Sequence, residues 1–323
     1  MTYYNSHDET LPFTGMVPAA LARYKIPGSI ASGLENEYGR FLSQEMDSPS
    51  CRAFHTVYQI QRPENLHIGE EGPFLFTLLT LQFDRKLDID GIGPVHMKEG
   101  QFNIVYSPHF DLHSRHEDRK EYISLSIEYR MDVLQEWAGY FPILASFLEK
   151  VQAGLPATML NENGWLTKEM QDITYKVLHC PLDTPAYRAY FDLLAKELLF
   201  HLLLQSVQRD PPSAYSHYEV EGIHAAREMI RKNIRYHFVI REIAQKVGMN
   251  EFKLKNGFRE IFGNGVYEYL RIERMQEARN LLSERGRSVK EVAALTGYKS
   301  VNSFIKAFKK KFSLTPGEFR KRA

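Results

Sequence analysis

The sequence has few cysteines, no long apolar run and no secretory pattern at its start. Only Cys51 and Cys180 occur in 323 residues, and their spacing fits no metal motif, so we expect a reduced, cytoplasmic protein. The most apolar segment, 193–204, is interrupted by charged residues and is too short to cross a membrane. Residues 1–10 are polar and acidic and lack the basic and apolar regions of a signal peptide. These absences exclude a disulfide scaffold and a membrane-spanning helix.

Acidic residues are also absent from one stretch near the C-terminus, between Glu291 and Glu318. From Glu219 onward, 23 Lys and Arg face 12 Glu and no Asp, a net charge of +11. The preceding 218 residues carry a net charge of −10, so the overall charge of +1 conceals the asymmetry. A basic region joined to an acidic one is typical of a nucleic-acid-binding domain attached to a domain with another task.

The basic region contains one pattern twice. Ile240–Gly248 and Val289–Gly297 each read as an apolar helix that ends at a glycine turn. A second helix follows each turn, with apolar residues about every four positions as far as Phe262 and Phe312. This layout predicts two helix-turn-helix units, each able to place its second helix in the major groove of DNA.

The segment between the two units, Val266–Glu284, predicts a connecting helix of about 28 Å at 1.5 Å per residue. That length is close to the ~34 Å between successive major grooves on one face of DNA. Paired prolines upstream predict a linker at 209–217. We therefore predict an N-terminal domain over 1–208 and a DNA-binding domain over 218–323.

The N-terminal domain is predicted to combine strands and helices. Segments rich in β-branched and aromatic residues predict four strands, and longer apolar patterns predict three helices. The strands are Ala53–Gln61, Pro73–Phe83, Gly100–Tyr106 and Glu121–Tyr129, and the helices are Phe141–Val151, Leu166–Val177 and Pro185–Gln208. The predicted fold class is α+β, with a small cupin-like β-barrel and attached helices before an all-α, double helix-turn-helix domain.

The segment from Gly297 to Arg320 closely resembles the signature of the AraC/XylS family of bacterial transcription regulators. The matching positions are Gly297, Phe304, Phe308, Lys309, Phe312, Thr315, Pro316 and Arg320. Val239 departs from this pattern, because Ser or Thr usually caps the first helix there, and the difference weakens that helix end by about 1 kcal/mol. Gly257, inside the second helix of the first unit, costs about 1 kcal/mol relative to Ala unless close packing requires it.

The resemblance implies which side chains contact DNA. Asn pairs with adenine and Lys with guanine, and a Phe can contact the thymine methyl group. The implied base-reading residues are Phe252, Lys255, Asn256, Asn302, Ser303 and Lys306. The expected phosphate contacts, which hold register without reading sequence, are Lys253, Arg259, Lys309 and Lys310. We expect five other phenylalanines to pack in the core: Phe258, Phe262, Phe304, Phe308 and Phe312.

The N-terminal half resembles the sensor region of regulators that control ferric-siderophore uptake, such as the pyochelin and yersiniabactin systems. The resemblance rests on Phe141–Lys150, Glu169-Met170, Cys180-Pro181 and the Leu-rich helix. It implies a transcription activator with a small-molecule effector, a ferric siderophore among the candidates, and contact with RNA polymerase. The residues that bind the effector stay unknown. Apolar residues beyond one face of the Leu-rich helix, including Phe200 and Leu204, also suggest a homodimer seam.

His109, His113 and His116, followed by Glu117, raise the alternative of a metal-dependent barrel enzyme fused to a DNA-binding domain. Residues 109 and 116 are an odd number of positions apart, so on one strand they would face opposite sides of the sheet. The run between them is polar and is typical of a surface loop, and we therefore predict a polar surface loop there and no metal or cofactor. No nucleophile elbow or phosphate loop occurs, so we expect no enzyme. A further alternative is a constitutive DNA-binding regulator whose N-terminal domain only dimerises.

Overall fold

A computed structural model of the chain describes residues 2–70, 72–117, 120–207, 215, 217–283 and 286–322. The chain divides into two compact units between residues 209 and 210. The segment predicted as a linker, 209–217, lies outside the described residues except for residues 215 and 217. Among the described helices, none combines the length and the apolar character needed to span a bilayer.

Antiparallel strands dominate the N-terminal unit, together with a 3₁₀ helix at Ala19–Tyr24. The described strands are β1 (Thr2–Tyr4), β2 (Ile30–Asn36), β3 (Gly39–Asp47), β4 (Cys51–Ile60), β5 (Glu64–Glu70), β6 (Phe74–Gln82), β7 (Arg85–Ile89), β8 (Gly93–Met97), β9 (Gln101–Ser107), β10 (Phe110–His116), β11 (Glu121–Tyr129), β12 (Ala157–Thr158) and β13 (Gly164–Trp165). The larger sheet has the order β12-β9-β6-β11-β4-β3-β2, with β13 paired to β9, and the smaller has the order β1-β5-β10-β7-β8.

The predicted α+β class is confirmed, but the strands form two antiparallel sheets and not one closed barrel. Both sheets contribute to one apolar core, which includes Phe41 and Phe76 from the larger sheet and Leu66 and Leu112 from the smaller one. Alternating apolar residues predict that a strand has one buried face, yet they do not reveal which strands pair at the edges. The sequence therefore predicted β4, β6, β9 and β11, but it predicted neither the other described strands nor that the sheets stay open.

Four helices cover the other face of the larger sheet. They are α1 (Met131–Ala138), α2 (Pro142–Gln152), α3 (Lys168–Leu178) and α4 (Pro185–Val207). Ile104 and Leu125 of the sheet share a core with Phe147 of α2 and Leu198 of α4. The three predicted helices in this unit are confirmed, with ends that differ by no more than two residues.

The segment around His109, predicted as a polar loop, forms strand β10, so the loop prediction was wrong. Phe110, Leu112, Ser114 and His116 are buried, while the alternate residues Asp111, His113 and Arg115 are polar and face outward, and this polar content obscured the alternation. His116 contacts the edges of two tyrosine rings in the sandwich, and burial lowers its pKa to about 3. His113 lies on the opposite, exposed face, so the three histidines do not share one strand face.

The C-terminal unit is helical throughout its described residues. Its helices are α5 (His217–Lys232), α6 (Ile240–Lys246), α7 (Glu251–Phe262), α8 (Val266–Ser283), α9 (Val289–Leu295), α10 (Val301–Phe312) and α11 (Pro316–Arg322). We call α6 with α7 the first unit and α9 with α10 the second unit. The connecting helix α8 begins at Val266 as predicted. Phe304 and Phe308 of α10 pack with Met275 and Leu282 of α8 in one core.

Candidate nucleic-acid interface

In the second unit, local hydrogen bonds fix both helix starts. Ser288 and Glu291 form a capping box at α9: the Glu291 N–H donates to the Ser288 hydroxyl at 3.2 Å, and the Ser288 N–H donates to the Glu291 carboxylate at 2.6 Å. These hydrogen bonds lower the pKa of Glu291. Ser300 caps α10 by accepting a hydrogen bond from the Ser303 N–H. Both helices of the second unit therefore begin at residues whose side chains cap them.

The turn of the second unit requires glycine. Gly297 has a φ of +79°, a conformation that side chains rarely adopt. A Cβ there would lie 2.8 Å from Nη2 of Arg274 and 2.9 Å from Cα of Arg235. Both the backbone conformation and the close approach of another segment exclude larger residues.

The first unit follows the same plan with a weaker start. Val239 occupies the N-cap of α6 and makes no side-chain hydrogen bond there, which confirms the predicted departure. Asn250 caps α7 by accepting a hydrogen bond from the Lys253 N–H at 2.8 Å. Gly248 turns the chain with a φ of +68°. A Cβ at Gly248 would meet only the hydroxyl end of Tyr218, at 2.8 Å.

Gly257 allows α7 to approach α5 closely. It is buried, and a Cβ built on it would lie 2.3 Å from Cδ1 of Ile223 and 3.2 Å from the ring of Tyr215. Close packing therefore accounts for a glycine in the middle of a helix, where it would otherwise cost about 1 kcal/mol relative to Ala.

The second helix of each unit buries one face and exposes the other. Leu254 and Phe258 of α7, and Phe304 and Phe308 of α10, are fully buried. The ten residues predicted to contact DNA are all exposed: Phe252, Lys253, Lys255, Asn256 and Arg259 on α7, and Asn302, Ser303, Lys306, Lys309 and Lys310 on α10. Phe252 is 75% exposed, an unusual position for an aromatic side chain. The exposed faces of the two helices therefore carry donors, acceptors and one apolar ring.

The two helices differ in how their cations are neutralised. The first-unit cations are Lys253, Lys255 and Arg259; Lys253 pairs with Glu219, and Lys255 lies 3.3 Å from Glu251. We call Lys306, Lys309 and Lys310 the second-unit lysines. Among the described residues, no acidic side chain lies within ion-pair distance of any of these three. Their charges are thus available to an anionic partner without breaking an ion pair.

Arg274 of α8, which sequence reasoning missed, connects the loop after α5 with the turn of the second unit. Its Nε donates to the Ile234 carbonyl at 2.7 Å and an Nη to the Tyr236 carbonyl at 3.1 Å, and its guanidinium lies 5.7 Å from the ring centre of Tyr298. Burial lowers the pKa of Arg274. The only signal in the sequence is an arginine placed on the apolar face of α8. These bonds fix the loop after α5 against the turn of the second unit.

Residues 243–322 match a family model described as a helix-turn-helix domain. The xylose operon regulatory protein of Escherichia coli strain K12 is 28% identical over 101 residues, which cover 31% of this chain and 25% of that protein. The probable transcription factor PqrA of Proteus vulgaris is 36% identical over 24% of this chain and 64% of its own length. The regulatory protein PchR of Pseudomonas aeruginosa is 39% identical over 22% of this chain and 24% of its own. The chain thus spans about a quarter of the first relative's length.

Proposed function

We propose that this chain is a transcription regulator that binds double-stranded promoter DNA, because residues 243–322 match a family model described as a helix-turn-helix domain. The observation that carries the proposal is the pair of exposed helix faces on α7 and α10. Each bears amide or hydroxyl groups beside cations, and the cations of α10 have no acidic neighbour in the described part of the chain. Groups of this kind read base edges and hold phosphates.

The proposed complex uses both units at once. The connecting helix α8 has 18 residues and is about 27 Å long at 1.5 Å per residue. Successive major grooves on one face of DNA are ~34 Å apart, so a spacer of this size suits insertion of α7 and α10 into neighbouring grooves. Arg274 supports this geometry because its guanidinium, on α8, lies beside the ring of Tyr298 in the turn of the second unit.

The roles within the interface follow from side-chain chemistry. Asn302 and Asn256 offer the bidentate pairing that selects adenine, and Lys306 and Lys255 can donate to guanine. Phe252 is placed to contact a thymine methyl group, and Ser303 adds a hydroxyl that pairs with several bases. The phosphate-contacting residues supply affinity that does not depend on sequence.

DNA binding should require only the C-terminal unit. A fragment of residues 217–323, compared with the full chain, should bind duplex DNA in a fluorescence-anisotropy titration, with an affinity that falls steeply between about 50 and 200 mM salt because bound phosphates release counterions. Affinity that is independent of salt, or no binding by the full chain to any promoter fragment, would defeat the proposal.

We assign effector recognition to the N-terminal unit. Its sheets and helices form a compact body of their own, and its acidic character makes it unsuited to contact DNA. A small apolar or metal-chelating molecule, such as a ferric siderophore, is the proposed effector class. Binding would shift activity by favouring one arrangement of the chain, with a typical coupling of about 1–3 kcal/mol.

A thermal-shift screen of the full chain against ferric siderophores and other metabolites, followed by promoter titration with each hit, tests this assignment. A hit should change promoter affinity or transcription. A ligand that raises the melting temperature but leaves DNA affinity, oligomeric state and transcription unchanged would favour the constitutive regulator instead.

Dimerisation and contact with RNA polymerase complete the proposal. On α4, Leu193 is 64% exposed, and Phe200 is 40% exposed although its ring contacts Trp137 and Phe141. Exposed apolar residues on one helix suit a seam between two copies. Leu193→Glu should shift the sedimentation coefficient of the full chain towards that of a monomer, and run-off transcription with purified polymerase tests the second contact.

A further inference from the structure

The outer face of the smaller sheet in the N-terminal unit carries two stacked histidines. His67 of β5 and His113 of β10 are direct partners in the strand register. Their ring centres lie 4.5 Å apart, and the ring planes differ by only 14°. Tyr4 of β1, the partner of His67 on the other side, stacks on the His67 ring at 5.0 Å. The sheet register therefore holds both imidazoles side by side.

One carboxylate lies close to the Nε2 atoms of both imidazoles. Asp111 precedes His113 by two residues on β10, so both side chains are on the same face. Its Oδ1 lies 2.9 Å from Nε2 of His67 and 3.1 Å from Nε2 of His113. Gly69 is the register partner of Asp111 and adds no side chain that would fill this space. The ligand atoms of the three residues lie within 4.8 Å of one another.

Two atoms of this cluster are buried without a hydrogen bond. They are Oδ1 of Asp111 and Nδ1 of His67. A buried polar atom left unpaired costs about 1–3 kcal/mol, so Oδ1 of Asp111, which faces both Nε2 atoms, points to a missing partner. The distances from Oδ1 to both Nε2 atoms are short, yet their geometry does not satisfy hydrogen bonding.

Asp8 places a carboxylate near the other ring nitrogen of His67. Its Oδ1 lies 3.8 Å from Nδ1 of His67, and its φ of +57° places it in a left-handed turn. Histidines that bind metal through one ring nitrogen usually donate the other N–H to a carboxylate, which fixes the tautomer and the ring orientation. A small closure of the Asp8 turn would complete this bond.

We propose that His67, Asp111 and His113 bind a divalent first-row transition cation such as Zn²⁺ or Fe²⁺. Two imidazoles and one carboxylate are the ligand set of non-haem Fe²⁺ sites, and Zn²⁺ accepts the same groups. The ligands come from one face of the sheet, and Asp111 and His113 are 47% and 55% exposed. Remaining coordination positions face solvent and are open to water or to a chelating molecule. The site does not depend on the proposed binding of DNA.

The test uses the full chain without a polyhistidine tag. Calorimetric titration with Zn²⁺ should show one saturable site, and Co²⁺ should give visible absorption bands that Zn²⁺ abolishes. His113→Ala and Asp111→Asn should each weaken Zn²⁺ binding at least tenfold. Asp8→Asn should weaken it about 10-fold to 100-fold, as loss of an outer-shell partner does. His109→Ala removes an exposed histidine outside the cluster and should leave the affinity unchanged.

His113 is exposed, so its substitution should preserve the sheet, and the circular-dichroism melt of each variant checks that the unit remains folded. The proposal is overturned if the wild-type chain shows no saturable Zn²⁺ binding. It is equally overturned if folded His113→Ala and Asp111→Asn both bind Zn²⁺ with wild-type affinity, or if His109→Ala weakens binding as much as they do.

Discussion

The two helix-turn-helix units share a backbone plan but differ in charge and in capping. In the second unit a capping box starts α9, and among the described residues the second-unit lysines lie near no acidic side chain. In the first unit Val239 provides no cap, and two of the first-unit cations pair with Glu219 and Glu251. The two units therefore share a fold but do not have equivalent surfaces.

The difference assigns distinct roles to the units. A lysine without an acidic neighbour gains the full attraction of a phosphate, whereas a paired lysine brings a carboxylate close to the same DNA. We expect the second unit to supply most of the electrostatic affinity. The first unit, with the exposed Phe252 and Asn256, should contribute more through contacts to bases than through charge.

The largest effect should come from removing charge. Replacing all second-unit lysines by alanine should reduce the slope of log affinity against log salt by about 1.8, since the two proposed phosphate contacts, Lys309 and Lys310, contribute about 0.9 each. The same replacement of the first-unit cations should reduce the slope by about 0.9, because among the described residues only Arg259 of these three lies near no acidic side chain. Anisotropy titrations on one DNA duplex at several salt concentrations measure both slopes.

Each triple variant removes three positive charges, so the two are matched controls for each other. Equal reductions of the slope would contradict the proposed difference between the units. Glu251→Gln sharpens the comparison because it frees Lys255, and it should raise DNA affinity by up to about fivefold, the equivalent of a surface ion pair worth up to 1 kcal/mol.

The turns offer a second comparison, in stability. Gly297→Ala should destabilise the chain by about 2–4 kcal/mol, because a positive φ and a clash with the backbone of Arg235 add together. Gly248→Ala should cost about 1–2 kcal/mol, since only the flexible end of Tyr218 must move. Urea unfolding of both variants, with DNA affinity of the folded protein as a second readout, checks the order. A larger loss for Gly248→Ala would refute the assignment of close contacts.

Substitutions of two residues on α10 should differ in their effect on DNA sequence selectivity. Asn302→Ala should lose about 1–3 kcal/mol of discrimination at particular base pairs, as expected for a bidentate reader. Lys309→Ala should weaken all sequences alike because a phosphate contact carries no base information. Competition binding against a panel of single-base variants of the preferred site distinguishes them. If Asn302→Ala leaves the preference unchanged, its proposed role is wrong.

Helix caps should give the smallest differences. Ser288→Ala removes the cap of α9 and should destabilise the chain by about 1 kcal/mol. Val239→Thr adds the missing hydroxyl at α6, where the backbone is already extended, and should stabilise it by about 0.5–1 kcal/mol. In thermal unfolding, the melting temperature should fall for Ser288→Ala and rise for Val239→Thr. Changes of the same sign would show that other contacts decide the stability of these helix ends.

The sequence predicted what depends on local pattern. Repeated apolar spacing located α7, α8 and α10. The exposed faces of α7 and α10 followed from the same spacing, because residues between buried positions of a helix must face outward.

Contacts between distant segments could not be read from pattern. The pairing of Lys253 with Glu219 joins two helices, and the reason for Gly257 lies in Ile223 of α5. Strand β10 was missed because its outward side is wholly polar. The meeting of His67 with His113 depends on strand register, which alternation alone does not determine.

The most direct test of the central claim is a footprint on a preferred DNA site. Duplexes enriched from a random pool by the full chain should be probed for phosphate interference. We predict two clusters of essential phosphates about one helical turn apart on one DNA face, with the stronger cluster lost when the second-unit lysines are replaced. A single cluster, or a pool that never enriches a preferred sequence, would contradict the account.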